Sequence, residues 1–399
     1  MMPVVFTIPG INYAIPGFGF ALMIGFLWAI WWAANRASKS GGNPDVVLNL
    51  GFVALVGGVV GCRLMYVAHY WERDFANRGS LLETLFAIVD VSRGGMEFYG
   101  GLLTATLLAI IWIVRYEKVS LRWYLDIVAP SVVLGLAVGR VGCLLNGCCY
   151  GSTCDGPQAM RFPYGSSASA EQWQARLPES GLPRELLMIY PPGIPRPLSR
   201  ESLAATDEQI AAAIQEEKAA RQERDEARAA EKSATGEAKK TAERRASLAI
   251  YRYSAAQARY MDIRRNMEKY KVSAAEIRAL AARHMSLPVH PTQIYSTITA
   301  GLLALFLSAL YWRRTRDGQV IATMFVIEPI TRYVLEVIRA DNPIDTVGSF
   351  TISQFISLCL VPIGLVMLLV LQTMPPRSSR AQIWVPPPEE KPKAAAATA

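Results

Sequence analysis

The chain has 399 residues, of which 52% are hydrophobic and 19% charged, with a formal net charge of +8. Soluble globular chains carry about 25% charged residues, so this one is short of charge, and its apolar content, six cysteines and aperiodic glycine exclude a disordered chain, a disulfide-stapled mini-domain and a collagen-like fibre. The charge is also uneven, since residues 199–285 hold 32 of the 74 charged side chains. That division points to a membrane protein carrying a polar insert.

Lipid offers the backbone no hydrogen-bond partner, so a span is expected as a helix of about 20 apolar residues. Seven stretches fit, over 13–34, 47–69, 98–114, 124–146, 292–312, 319–339 and 351–373. The apolar run 81–91 is too short to cross and reads as an interfacial or re-entrant piece. The first stretch lacks a basic leader and a small-residue cleavage site, so it reads as a span and not as a removable signal. The expected fold class is an all-α integral membrane protein, seven transmembrane helices with an extracytoplasmic helical-hairpin insert.

Basic residues in short loops mark the cytoplasmic side. Arg36 and Lys39 follow the first span, Arg115, Lys118 and Arg122 the third, Arg313, Arg314 and Arg316 the fifth, and Arg377 and Arg380 the seventh. The opposite segments 1–12 and 340–350 have no basic residue. The N-terminus is therefore expected outside, the C-terminus in the cytoplasm and 147–290 outside. The organisation expected is a membrane core over 1–160 with spans one to four, an extracytoplasmic linker over 161–198, a charged helical hairpin over 199–285, spans five to seven over 286–374, and a disordered cytoplasmic tail over 375–399. The Pro-rich run 190–197 belongs to the linker.

Within 199–285, Thr206 with Gln209 and Ser273 with Glu276 have the spacing of capping boxes, in which a hydroxyl and a side-chain carbonyl or carboxylate satisfy each other's backbone N–H. The run around Gly236 reads as a turn between two long antiparallel helices, followed by a short one. Their apolar stripe is mostly alanine, which predicts weak pairing unless a protein partner helps.

Ionisable side chains inside spans are costly and mark functional candidates. They are Arg63, Asp126, Arg140, Glu328, Arg332, Glu336 and Arg339. Arg332 and Glu336 are four residues apart on one helical face and can pair. A single such arginine could equally be a structural pin, but three at the outer ends of different helices suit an anion, because guanidinium matches phosphate geometry. Near them lie two glycine-dense segments, RGGMEFYGG over 93–101 and GRVGCLLNGCCYG over 139–151, and the segment LPVHPTQIYS over 287–296, which puts His290 just before span five. Non-helical backbone at membrane depth is tolerated where it lines a cavity, although small residues also serve helix packing.

These segments resemble the prolipoprotein diacylglyceryl transferase family, a bacterial plasma-membrane family with seven spans. Its span-four signature is similar to Gly139, Arg140, Gly142, Asn146, Gly147 and Gly151. A second motif matches Gly94, Gly95, Met96, Phe98, Gly100 and Gly101, a third His290, Pro291, Thr292, Gln293 and Tyr295, and a fourth Arg332 and Glu336. The likeness covers about 10–160 and 286–373. It implies transfer of a diacylglyceryl group from phosphatidylglycerol to the lipobox cysteine thiol of a preprolipoprotein in the bacterial plasma (inner) membrane. It also implies catalytic roles for Arg140, Tyr99, Arg332 and Glu336, and substrate contacts from Arg140, Asn146, Gly151, Gly100, Gly101, Arg63 and His290. The expected partners are phosphatidylglycerol, other membrane lipid and lipobox segments, with no metal, no cofactor and no nucleic acid.

The chain departs from the family at three places. The family commonly has histidine at the position of Tyr99, a tyrosine at that of Phe18 and an asparagine at that of Cys143. A phenol has a reference pKa of ~10, so either Tyr99 or another group, His290, Glu97 or bulk water, takes the thiol proton. The alternatives are an enzyme with relocated proton transfer and a catalytically weakened lipid-binding paralogue whose insert recruits envelope partners. Cys143, Cys148, Cys149 and Cys154 have no standard zinc spacing; a disulfide from Cys154 to Cys148 or Cys149 and unpaired packing thiols are both open. A transporter would predict an internal repeat of the spans, and none is evident.

Overall fold

The computed structural model describes residues 4–8, 13–76, 81–90, 95–176, 180–190, 194–235, 237–340, 346–347, 350–381 and 383–385. The chain divides into two compact units, one built mainly from 2–145 and 293–338 with the segment after 342, the other from 146–292 with 339–341.

In the first unit a short hairpin of β1 (Val4–Ile8) and β2 (Tyr13–Pro16) precedes α1 (Gly17–Lys39). There follow α2 (Pro44–His69), α3 (Leu81–Val89), α4 (Phe98–Ile111, continued as wider turns to Glu117) and α5 (Leu121–Asn146). After the second unit come α12 (Thr292–Arg313), α13 (Gln319–Ile338) and α14 (Ile352–Thr373). Local chemistry sets several starts. Asn43 accepts the amide of Asp45 at 2.9 Å with Pro44 at the first helical position, and Thr351 and Gln354 form a capping box, which satisfies donors that a helix leaves open.

Among the described residues six of these helices are long and apolar enough to cross a membrane: α1, α2, α4 with its extension, α5, α12 and α14. Their outward faces carry large exposed apolar side chains such as Phe52, Leu103, Leu302 and Leu369, a surface of the kind that a membrane covers. The predicted span over 319–339 is the 20-residue α13, which differs from the six in carrying Glu328, Arg332 and Glu336. The run 81–91 forms α3, a helix of nine residues.

Polar side chains tie this unit together at one end. The fully buried carboxylate of Asp126 accepts the amides of Gly318, Val320 and Ile321 at 2.7, 2.9 and 3.0 Å and faces Arg314 Nε at 3.4 Å. It thus caps the start of α13 from another helix, where a carboxylate also meets the positive end of the peptide dipoles. Arg36, expected as a cytoplasmic loop charge, is buried instead. Its Nη1 donates to Ile127 O at 2.7 Å and Ser131 Oγ at 3.1 Å, and its Nη2 donates to Ser308 Oγ at 3.1 Å. The segment after α14 differs from the expected disordered tail as far as residue 385: the Ser378 amide donates to Asp317 Oδ2 at 3.0 Å and the Trp384 amide to Gly41 O at 2.8 Å. Residues 386–399 lie outside the described residues.

The second unit contains α6 (Ser167–Gln174), a hairpin of β3 (Leu187–Tyr190) and β4 (Ile194–Pro197), α7 (Arg200–Ala204), α8 (Asp207–Ser233), α9 (Glu237–Ala258), α10 (Met261–Tyr270) and α11 (Ala274–Arg283). Residues 161–198, expected as a linker, therefore contribute regular structure, and Leu186, Met188 and Leu198 share a core with Ile210, Ile263 and Ile277. The Tyr164 phenol lies in that core and donates to Leu186 O and Leu198 O, and its burial pushes it well above the usual tyrosine range. Both capping boxes form, and the Ser273 amide and hydroxyl hold the Glu276 carboxyl below its ordinary value. Helices α8 and α9 pair through an alanine patch of Ala227, Ala246 and Ala249. Ion pairs reinforce the contact, among them Glu223 with Arg252 at 2.9 Å and Glu216 with Arg259 at 2.5 Å. The turn expected at Gly236 lies outside the described residues, and two short helices follow the pair where one was expected.

Replacing Asp126 by alanine strands three buried amides and removes one of the two carboxylates that face Arg314. The expected loss is about 3 kcal/mol, the scale for breaking a buried charged cluster, read as a fall of several degrees in the melting temperature of detergent-solubilised protein; Asp126→Asn, which keeps one acceptor oxygen, should lose less.

Candidate active site

Arg140 on α5, Ser296, Thr299 and Leu303 on α12, and Glu328, Thr331 and Arg332 on α13 line one small cleft in the first unit, with a cavity volume of about 10 Å³, room for about one water. The helix geometry explains the α13 contribution. Residues 328, 332 and 336 are spaced by four and stack along one face. Arg332 Nη2 lies 3.1 Å from Glu336 Oε2 and donates to Ser353 Oγ at 3.1 Å, while the Thr351 hydroxyl donates to Glu336 Oε1 at 3.3 Å. The pairing read from the sequence is thus formed, and Glu336, which is buried, holds Arg332 from behind. Pro329 carries no N–H, so the helical ladder is interrupted beside Glu328, whose carbonyl oxygen accepts the Thr331 hydroxyl at 2.8 Å.

Arg140 completes the charge. Its Nε is buried and has no hydrogen-bond partner among the described residues. A buried charged donor left open costs free energy, and an oxyanion entering the cleft would satisfy it. Glu328 lies within electrostatic reach of both Arg140 and Arg332. The sequence marked Glu328 only as an ionisable residue in a span and gave it no role; the signal that could have placed it is its position four residues before Arg332.

Other candidates serve different ends. Arg63 is buried and donates from Nε to Ile88 O at 2.7 Å, from Nη1 to Gly95 O at 2.8 Å and from Nη2 to Ala87 O at 2.5 Å. It pins the α3 end and the glycine segment to α2, and it is not among the residues lining the cleft. Gly100 and Gly101, expected to contact substrate, are buried against α2: a Cβ on Gly100 would meet Gly61 O at 2.5 Å, and one on Gly101 would meet Gly58 O at 2.7 Å and collide with Cys62 Sγ. They allow two backbones to touch, the usual role of small residues between membrane helices. Gly142 does the same for α1, with Ala21 and Phe18 against it.

Tyr99 lies in the first turn of α4, 38% exposed, with its ring against Phe98, and does not line the cleft. Glu97, just before it, pairs with His69 Nδ1 at 2.7 Å. Asn146, Gly151 and His290 belong to the second unit. Asn146 ends α5 and is followed by Gly147 at φ +73°, the left-handed residue that commonly closes a helix. Gly151 and His290 are neighbours: the Gly151 amide donates to His290 O at 2.9 Å and the His290 amide to Ser152 O at 3.0 Å. All six cysteines are free thiols, so the Cys154 disulfide is not formed.

Long apolar helices around a cleft with two arginines define a multi-pass membrane protein whose site suits an anion. A family model for prolipoprotein diacylglyceryl transferase matches residues 3–206 and 231–370, and the chain belongs to that family. The match reaches further into the insert than the sequence motifs suggested, and leaves between its two parts only 207–230, most of α8. Among curated proteins, the chain is similar to the phosphatidylglycerol–prolipoprotein diacylglyceryl transferase of Rhodopirellula baltica, 39% identical over 163 residues, which are 41% of this chain and 32% of that one. It is similar to that of Pectobacterium carotovorum, 35% identical over 198 residues, 47% and 65% of the two chains. The protein of the same name from Photobacterium profundum is 38% identical over 154 residues, 38% and 55%. These alignments span about a third to two thirds of the relatives' own length.

If the second glycine motif acts through packing, Gly101→Leu should destabilise the protein by about 1–3 kcal/mol, the cost of overfilling a packed contact. Thermal unfolding of the solubilised variant checks this; a melting temperature equal to that of wild type would contradict it.

Proposed function

We propose that the protein transfers the diacylglyceryl group of phosphatidylglycerol to the lipobox cysteine thiol of preprolipoproteins, in the bacterial inner membrane with the N-terminus and the 146–292 unit outside. The observation that carries this reading is the presence of Arg140 and Arg332 in one cleft, inside the residues matched by the family model. In this reading α13 is the seventh span, its three charged residues retained because they build the site.

The headgroup phosphate is bound by Arg140, whose buried Nε is open, and by Arg332, which Glu336 holds in place. The substrate sulfur attacks the glyceryl carbon that bears the phosphate, an S–C bond forms, the C–O bond breaks, and glycerol phosphate leaves. Charge develops on the departing phosphate oxygen, and guanidinium groups fixed in a cleft among apolar helices stabilise it more than water would. The same cations favour the thiolate over the thiol, whose free pKa is ~8.5. Asn146, Gly151 and His290, all of the second unit, are assigned to substrate contacts, and Tyr99 to a hydrogen bond with a bound substrate. Arg63, Gly100 and Gly101 act by fixing α2, α3 and α4. A second reading, lipid binding with weakened catalysis and a recruiting insert, is favoured by Tyr99 and by the exposed Leu248 and Tyr251 on α9.

Full-length protein in nanodiscs containing phosphatidylglycerol should convert a lipobox peptide to its thioether-linked diacylglycerol form, detected by mass spectrometry. Arg140→Ala should lower the rate at least ~100-fold, the scale for removing a transition-state donor; wild-type turnover in this variant would remove the central assignment. Tyr99→Phe should keep more than about a tenth of the activity, as expected for one neutral hydrogen bond of ~1 kcal/mol, whereas complete loss would make the phenol essential to the chemistry.

A further inference from the structure

The transfer releases a thiol proton, and the position where the family commonly has histidine is Tyr99, which does not line the cleft. Among the residues that do, the groups other than hydrocarbon are two guanidiniums, the hydroxyls of Ser296, Thr299 and Thr331, and one carboxylate, that of Glu328. Arginine holds its proton throughout the physiological range, and hydroxyls are too weak as bases. Glu336, a turn further along, is not a lining residue, and its oxygens are engaged by Arg332 and Thr351. We infer that Glu328 is the proton acceptor of the transfer reaction, a catalytic residue that faces the substrate between Arg140 and Arg332; this rests on the function proposed above.

The step balances without an added reactant. The thiol gives its proton to the Glu328 carboxylate, and the sulfur forms its bond to the glyceryl carbon as the C–O bond to phosphate breaks. The departing phosphate, now with one more negative charge, takes the proton from Glu328. The carboxylate is regenerated, and glycerol phosphate leaves as a singly protonated monoester. Charge supports the same order. The charged groups in and behind the cleft are Arg140 from α5 and Arg332, Glu328 and Glu336 from α13, while the lining residues of α12 are uncharged. These four sum to zero, so an arriving phosphodiester anion gives the cleft one excess negative charge, which makes the Glu328 carboxylate a stronger base toward the thiol proton; the transfer moves charge to the sulfur and leaves the total unchanged. A neighbouring anion disfavours the ionised carboxylate, and here the thiol supplies the proton that Glu328 takes up. Pro329 next to Glu328 and the Thr331 hydroxyl on its carbonyl fix the local backbone at this point of the cleft lining.

The test uses full-length wild type, Glu328→Gln and Glu328→Asp in phosphatidylglycerol nanodiscs, with one lipobox peptide carrying cysteine and another carrying selenocysteine. A selenol is already ionised near neutral pH and needs no base. Glu328→Gln should lose at least ~100-fold in rate with the cysteine peptide, the usual contribution of a positioned base, while retaining bound phosphatidylglycerol and recovering at least tenfold with the selenocysteine peptide relative to wild type. Glu328→Asp should give an intermediate rate and a displaced pH–rate profile. Glu328→Gln that turns over the cysteine peptide at the wild-type rate, or that loses the selenocysteine reaction equally, overturns the assignment while leaving the proposed function standing. Wild-type protein that forms no thioether overturns both.

Discussion

A charge buried among apolar helices must meet a partner, and the one that orders this molecule is the Asp126 carboxylate on the first amides of α13. The contact fixes where α13 starts relative to α5. At a rise of ~1.5 Å per residue, Arg140 lies ~21 Å beyond Asp126 along α5, and Arg332 lies ~18 Å beyond Val320 along α13. The two helices leave the clamp in the same sense, so the two arginines arrive at similar depth and can share a cleft. Arg36, bonded to α5 and α12 near the same end, steadies the third wall. Neither Asp126 nor Arg36 touches the cleft, yet both define its geometry.

The glycine motifs do a related job by different means. At Gly61, Gly100 and Gly101 a Cβ would run into the backbone of the facing helix, so no larger residue fits. That contact holds α4 against α2, while Arg63 gathers the carbonyls of Ala87, Ile88 and Gly95. Motif residues that resemble parts of a lipid site are thus divided between those that line the cleft and those that set the helices around it. Arginine is suited to both tasks because its planar fork of five donors can reach several carbonyls at once or grip a phosphate.

Much of this was legible in the sequence, and the reasons are physical. Long apolar runs have few folded solutions, so six helices appear close to where hydropathy puts them. The Arg332–Glu336 pair and both capping boxes follow from fixed helical spacing, as do the alanine contacts of α8 and α9. What the sequence hid depends on residues distant along the chain. Asp126 capping a helix that starts almost two hundred residues later, the core formed by Leu186 and Leu198 with Ile263, and the return of Trp384 to Gly41 have no local signal. Glu328 was visible as a costly residue, but its role needed the opposite wall, Arg140, to be in place.

In the function proposed above, Arg140 and Arg332 together hold the phosphate of the lipid substrate. An experimental structure of the full-length protein in phosphatidylglycerol nanodiscs tests it most directly. Density for the headgroup is expected in the cleft, with phosphate oxygens within ~3 Å of both guanidinium groups, as charge-assisted hydrogen bonds require. A headgroup bound elsewhere, with Arg140 and Arg332 turned to protein partners, would contradict it.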